Sequence, residues 1–243
     1  MPTFDTKVIG HLNEQFKSGI LVLIADNHKD SLARLAVKSI LSECEVKALF
    51  LELPVDCKAA NGTFGNVMRG KYGLTLSDAE KKMRKDGISI KDAMSAFDKG
   101  GYFTTPNPFN NGRRVSVGLD ASPNLVELSA VAVSRNVQVV PCDTGPSKLV
   151  AQLQARRGES AETVSFSTLF SDEGIGYRDQ LTAERVANFV HKNGPKGLLM
   201  LWGANHVIDA SADSGRAGLK PLLEGHNIRV SRTVNPTVFF SSL

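Results

Sequence analysis

Two apolar runs in the sequence end in the same way, in a small residue, two spacers and a histidine. The first ends at residues 25–28 (ADNH) and the second at residues 203–206 (GANH). Imidazole can accept a proton near neutral pH or bind a divalent metal. A single histidine after a strand is more often a solvated loop residue or a cap, but the recurrence makes His28 and His206 candidates for a shared site.

Carboxylates end the same kind of apolar run. Asp26, Glu52, Asp120 and Asp143 each lie at the end of a predicted strand. In open α/β sheets, ligands bind outside the carboxyl ends of the strands, so we expect these side chains to meet the histidines there. Glu52 lies between leucines in FLELP and is predicted to be partly buried, where its charge requires a partner.

An amphipathic helix over residues 177–194 could supply that partner. Arg178, Thr182 and Arg185 are spaced along one face, and Asp179 follows Arg178. An arginine facing the strand ends could hold a glutamate ionised or bind a substrate carbonyl or phosphate. The alternative is a face on which Arg178, Asp179 and Arg185 are merely solvated, and the pattern alone favours this alternative.

The elements that would position these groups alternate between strands and helices. The first βαβ unit is predicted to consist of a strand over residues 19–28, a helix over 30–43 and a strand over 46–54. Within the helix, helical spacing is shown by Leu32, Leu35, Ala36, Ser39 and Ile40. Strands that are apolar on both faces indicate a parallel sheet covered by helices. Further strands are predicted over residues 114–120, 137–143, 197–206 and 227–234, and another helix over residues 122–135. The predicted fold is α/β, with a mostly parallel central β-sheet flanked by helices.

The segment from residue 57 to residue 112 differs in composition. It is rich in Gly, Asn and Pro and contains one predicted helix, over residues 77–99. Because it has few large apolar residues, we interpret it as an inserted helical and loop lid within a single domain spanning residues 1–243. A lid at this place would select the substrate.

Composition excludes several classes of protein. The net charge is +4, but the basic residues do not cluster with aromatic ones, so no nucleic acid partner is expected. The three cysteines, Cys44, Cys57 and Cys142, form no zinc spacing and are typical of a reducing compartment. No apolar run is long enough for a membrane span, and no Sec signal is visible, so a cytoplasmic fold is expected. A type III secretion signal has no hydropathy signature, and that route stays open.

Four stretches together resemble the EreA/ChaN-like superfamily, which contains erythromycin esterases, ChaN-like haem-binding proteins, the TraB family and the Tiki metalloproteases. They are ADNHKDSLARLAVKSIL, ALFLELP, YRDQLTAERVANFV and LLMLWGANHV. The second GxxH motif matches as written, whereas the first has Ala25 in place of glycine. The helix resembles the Arg-Asp/Glu-x-x-Met-Ala helix of the erythromycin esterases, with Thr182 in place of methionine.

The resemblance implies a hydrolase whose catalytic residues are His28, Glu52, Arg178, Asp179 and His206. Asp26, Asp120, Asp143 and Arg185 are secondary candidates. In the esterase-like version a histidine takes a proton from water, Glu52 orients the histidine or the water, and an arginine stabilises negative charge. In the Tiki-like version His28, Glu52 and His206 bind a divalent metal. The degenerate first motif favours the version without a metal.

The small size and cytosolic character also resemble Hop-class type III effectors of plant-pathogenic pseudomonads. That resemblance implies a virulence effector secreted into the host cytoplasm, acting on a small-molecule or peptide substrate. The alternative is a degenerate member of the superfamily that acts as a binding module for a ligand or a host protein. Haem capture is a weaker third hypothesis, because no Tyr or Met axial pair is evident.

Overall fold

The structure, a computed structural model, describes residues 6–27, 31–55, 104–106, 114–116, 123, 125–158, 164–207 and 217–231. Its strands are β1 (Val22–Asp26), β2 (Ala48–Pro54), β3 (Thr104–Pro106), β4 (Arg114–Ser116), β5 (Gln138–Asp143) and β6 (Leu198–Gly203). The main sheet has four strands in the order β1-β6-β2-β5, and all of its pairings are parallel. The predicted α/β class is therefore confirmed.

Helices connect and cover these strands. They are α1 (Thr6–Lys17), α2 (Leu32–Glu43), α3 (Leu125–Ser134), α4 (Pro146–Arg157), α5 (Asp172–Asn193), the single turn α6 (Ala204–Val207) and α7 (Leu219–Gly225). A 3₁₀ turn, Phe166–Phe170, precedes α5. None of the helices in the described ranges is both long and apolar enough to span a membrane.

The sheet is buried on both faces, as its continuously apolar strands predict. On one face α1, α2 and α3 pack against the strands, with Ile24, Leu49 and Leu199 among the buried contacts. On the other face α5 and α7 pack around Phe50 and Trp202. Because both faces are covered, polar groups of the strands can reach a ligand only beyond the strand ends.

Helix α5 begins five residues earlier than predicted. The Ser171 side chain caps it by accepting a hydrogen bond from the Gly174 backbone N–H at 3.3 Å. Gly174 is required there, since a Cβ at this position would overlap the Thr168 carbonyl oxygen. The glycines that obscure the helical pattern of the sequence are thus part of the helix start.

One predicted strand of the main sheet is wrong, and another is described only in part. Arg114–Ser116 does form a strand, but it pairs antiparallel with Thr104–Pro106 in a separate two-stranded sheet. Of the predicted sixth strand, residues 227–234, the structure describes residues 227–231, where Val230 forms an isolated parallel bridge with Leu21, just before β1. Local apolar patterns predict an extended backbone, but they do not specify which strand will be its partner.

The buried face of α2 also differs from the prediction. Ala36 and Ile40 are buried as expected, but Leu32, Leu35 and Ser39 are only half-buried. The buried positions include Arg34 and Val37 instead. The helix is therefore rotated so that an arginine points into the protein. Most of the predicted insertion, residues 57–112, lies outside the described residues.

Candidate functional site

Glu52 lies where the backbone pairing of β2 changes. The last paired rung between β2 and β6 joins Leu51 to Leu201, and the register of β2 against β5 shifts after Leu51. Beyond that rung the Gly203 backbone N–H donates to Glu52 Oε2 at 2.9 Å. The irregularity thus directs a carboxylate to a strand end and fixes its orientation.

Arg178 of α5 joins this carboxylate to a second one. Its Nη2 lies 2.9 Å from Glu52 Oε1, and its Nε and Nη2 donate to the two oxygens of Asp143 at 2.9 Å and 2.8 Å. Burial of the guanidinium opposes its charge, but the carboxylates of Asp143 and Glu52 outweigh that effect and raise the pKa of Arg178. The arginine is thus held permanently charged between two carboxylates.

Two more side chains of α5 attach the helix to the end of β5. Thr182 Oγ1 and Arg185 Nη1 both donate to the Cys142 carbonyl oxygen, at 3.1 Å and 2.6 Å. Burial raises the pKa of the Cys142 thiol, which keeps the thiol neutral. The favoured prediction of a merely solvated helix face is wrong, because this face of α5 docks on the sheet.

His206 lies on α6, directly after β6, and is buried. Its Nδ1 is 2.6 Å from Asp179 Oδ1, and Asp179 itself is fully buried. Its Nε2 is 3.7 Å from Glu52 Oε1. The Trp202 ring packs edge-on to the imidazole, with 6.1 Å between ring centroids. When the imidazole is neutral, donation from Nδ1 to Asp179 leaves the Nε2 lone pair facing Glu52.

A second buried ion pair lies at the end of β1. Arg34 Nε donates to Asp26 Oδ2 at 3.0 Å, and both side chains are almost completely buried. Asp26 is paired through the β1–β6 register with Gly203, the residue that holds Glu52. The two ion-pair systems are therefore one strand apart at the same edge of the sheet.

These groups border a cavity of about 510 Å³. Its polar lining comes mainly from the strand ends and includes Asp26, Glu52 and His206, with Arg178 added by α5. Its apolar lining includes Phe170 and Ile175, on the 3₁₀ turn and the first turn of α5. A cavity of this size suits a small ligand or a side chain.

The structure brings together five of the residues that the sequence singled out: Glu52, Asp143, Arg178, Asp179 and His206. Asp26 lines the same cavity but has its own partner, and Arg185 binds a strand-end carbonyl rather than a carboxylate. His28 and Asp120 lie outside the described residues.

Sequence reasoning missed Arg34 and Phe170. Arg34 lies three residues before Val37 and seven before Leu41, both of which are buried. This helical spacing could have predicted that Arg34 lies on the buried face. Phe170 gave no signal of this kind, because it ends a short 3₁₀ turn without a periodic apolar pattern.

The donor set suits proton transfer better than metal binding. The Arg178 guanidinium already lies at hydrogen-bond distance from Glu52 Oε1. A metal ion on this oxygen would have to displace the guanidinium or be repelled by its positive charge. Within the described ranges, no group of three or more His, Cys, Asp or Glu side chains is arranged to hold a metal ion. His28, the third predicted ligand, is not among those residues.

No family model, curated protein or solved structure matches the chain. The resemblance to the EreA/ChaN-like superfamily therefore stays a prediction.

Proposed function

We propose that the chain is a hydrolase of the EreA/ChaN-like type that activates water without a metal. The observation that carries this proposal is the line Asp179, His206, Glu52 at the border of a cavity. A buried carboxylate on one imidazole nitrogen and a second carboxylate near the other is an arrangement suited to general base catalysis.

The separation of His206 and Glu52 supports a bridging water. At 3.7 Å, Nε2 and Oε1 are too far apart for a hydrogen bond, and both are acceptors when the imidazole is neutral. One water can donate one proton to each of them. Its oxygen lone pair then points away from both acceptors, towards a substrate in the cavity.

Proton transfer follows from the same contacts. As the water oxygen bonds to a substrate carbonyl carbon, His206 Nε2 takes the water proton, and Asp179 stabilises the imidazolium that forms. The imidazolium then gives this proton to the leaving alkoxide or amine when the carbon–oxygen or carbon–nitrogen bond breaks. Glu52 orients the water, while Arg178 and the Gly203 N–H donate to the two oxygens of its carboxylate.

Arg178 supports the charge that develops on the carbonyl oxygen. A guanidinium has five N–H donors, on Nε, Nη1 and Nη2. The three hydrogen bonds from Arg178 to Asp143 and Glu52 come from Nε and Nη2 alone. Its Nη1 has no hydrogen-bond partner among the described residues. That group is the proposed donor to the oxyanion.

A panel of ester and amide substrates tests the proposal. His206→Gln and Glu52→Gln should each lower kcat by about 10²–10⁴-fold, as expected for loss of acid–base catalysis. His226→Gln is the matched control, because His226 is exposed at the end of α7. Equal turnover by all four proteins would overturn the proposal.

Metal dependence separates the two hydrolytic versions. Turnover should survive exhaustive chelation. Activity that is lost on chelation and restored by a divalent cation would favour the metal-binding version with His28, Glu52 and His206. Absence of turnover on every substrate would favour the binding module. Secretion into a host cell and a host protein partner stay predictions from the sequence.

A further inference from the structure

Two side chains of α5 bind one main-chain oxygen of the sheet. Arg185 Nη1 donates to the Cys142 carbonyl oxygen at 2.6 Å, and Thr182 Oγ1 donates to the same oxygen at 3.1 Å. Thr182 is buried and Arg185 is half-buried. Within the part of the chain that the structure describes, Arg185 forms no ion pair with a carboxylate. Its hydrogen bond therefore fixes the place of α5 on the strand and does not neutralise a buried charge.

The Cys142 carbonyl is a fixed point close to Glu52. Cys142 is a fully buried residue of β5. This strand pairs in parallel with β2, the strand of Glu52, and Leu51 is the partner of Pro141 in that pairing. The hydrogen bonds of the ladder hold the backbone of both strands in place. A helix that is bound to this oxygen is therefore held at a set place relative to Glu52.

The place of Asp179 depends on how α5 lies on the sheet. His206 directly follows β6, whereas Asp179 belongs to α5. Arg178, Thr182 and Arg185 form one row along the helix. At a rise of about 1.5 Å per residue, Arg185 lies about 9 Å along the axis from Asp179. The bonds of Arg178 hold the row at one end, and a helix held only there could pivot. Thr182 and Arg185 hold the row further along and prevent this movement.

The distances in the site leave little room for a pivot of α5. Asp179 Oδ1 lies 2.6 Å from His206 Nδ1, and His206 Nε2 lies 3.7 Å from Glu52 Oε1. A displacement of Asp179 by about 1 Å would lengthen the first contact beyond hydrogen-bond distance. The imidazole would then no longer be held with its Nε2 towards Glu52. In enzymes, a misplacement of this size can lower the rate by about a hundredfold.

We infer that Arg185, together with Thr182, is a positioning residue, whose bond to the Cys142 carbonyl keeps α5 in the orientation in which Asp179 holds His206. Arg185 is not among the described residues that line the cavity, so it acts through Asp179. Its effect on turnover rests on the proposed function. Its effect on the contact between Asp179 and His206 does not.

The tautomer of His206 measures this positioning without turnover. Arg185→Met keeps much of the side-chain length and removes the hydrogen bond to Cys142. It should move part of the neutral His206 population from Nδ1–H to Nε2–H, because Asp179 no longer holds the Nδ1 proton in place. Arg185→Lys can still donate to the Cys142 oxygen and should restore most of the wild-type population. Long-range ¹H–¹⁵N spectra of protein labelled at its histidine rings report these populations.

Two further variants make the tautomer measurement decisive. Glu184→Gln is the matched control, because Glu184 is the exposed neighbour of Arg185 on the same helix. Thr182→Val removes the other bond to Cys142 and should shift the tautomer in the same direction by a smaller amount. If circular dichroism shows that Arg185→Met does not fold, Thr182→Val decides.

A His206 spectrum that matches the control in both Arg185→Met and Thr182→Val would overturn the inference, even if both variants melt at a lower temperature. A purely structural role would lower Tm without changing the tautomer. A tautomer shift in Arg185→Met that Arg185→Lys does not reduce would also overturn it, because the shift would then not come from this hydrogen bond.

Kinetics separate this inference from the proposed function. On a substrate that the wild-type protein hydrolyses, Arg185→Met should lower kcat by about 10- to 100-fold and leave KM within about twofold, because Arg185 does not line the cavity. A changed tautomer with an unchanged kcat would support the positioning and contradict His206 as the base. An unchanged tautomer and kcat, with a large loss of kcat in His206→Gln, would overturn the positioning and leave the proposed function standing.

Discussion

Replacement of Arg178 by methionine should be the most damaging single change at the strand ends. Methionine keeps the length of the aliphatic side chain but removes three charge-assisted hydrogen bonds and the positive charge. The Arg178, Glu52 and Asp143 side chains are only 12%, 14% and 11% exposed, so the two carboxylates would be left largely out of water.

The structure sets the size of the effect. Breaking a buried ion pair by removing one partner costs about 3–5 kcal/mol. Each carboxylate keeps one backbone donor, Gly203 N–H on Glu52 and Thr144 N–H on Asp143, which favours the lower end of that range. We expect a loss of about 3 kcal/mol in the free energy of unfolding, or about 6–12 °C in Tm for a chain of this size.

Urea and thermal unfolding, followed by circular dichroism, measure this loss. Arg157→Met is the matched control, because Arg157 pairs with Glu173 at the surface and such pairs contribute only about 0–1 kcal/mol. Adding Glu52→Gln and Asp143→Asn to Arg178→Met should recover part of the loss, since neutral amides are less costly to bury than unpaired carboxylates. A loss in Arg178→Met no larger than in the control would refute the account of a buried network.

Three further predictions concern residues around the site. Arg34→Met should lower the free energy of unfolding by about 3–5 kcal/mol in urea melts, because it leaves the Asp26 carboxylate buried without its guanidinium; a loss below about 1 kcal/mol would contradict this. Gly174→Ala should lower Tm through a cost of about 1–3 kcal/mol, because its Cβ meets backbone, whereas Gly225→Ala, with open space around it, should be neutral or stabilising. Burial and the nearby Glu43 carboxylate raise the pKa of Cys44 to about 11, so alkylation by iodoacetamide at pH 8, followed by peptide mass mapping, should be about a hundredfold slower than for an unperturbed thiol. Equal rates before and after urea unfolding would refute the last prediction.

The gathering of Glu52, Asp143 and His206 could be predicted from the sequence because it depends on one general property. Parallel strands place their carboxyl ends at one edge, so any polar residue that ends such a strand arrives there. The strand order could not be predicted in this way. β6 lies between β1 and β2, and this long-range pairing, which the local pattern does not encode, brings the Gly203 N–H to Glu52.

The direction of helix side chains was the other unpredictable part. Spacing placed Arg178 and Arg185 on one face of α5, but both the docked and the solvated orientation fit that spacing. The docked orientation depends on Asp143 and on the Cys142 carbonyl, which belong to β5, 35 or more residues before Arg178 in the chain. In α2, the apolar positions alone favoured a face that excludes Arg34, because they give no sign of its buried partner Asp26.

Catalysis by His206 requires that Asp179 fix the imidazole with its Nε2 free to accept a proton. Long-range ¹H–¹⁵N NMR spectra of protein labelled at its histidine rings report the tautomer directly, and His206→Gln assigns the signal. We expect neutral His206 to carry its proton on Nδ1 and Asp179→Asn to abolish this preference. A proton on Nε2 in the wild-type protein would contradict it, because no base would then face the water beside Glu52.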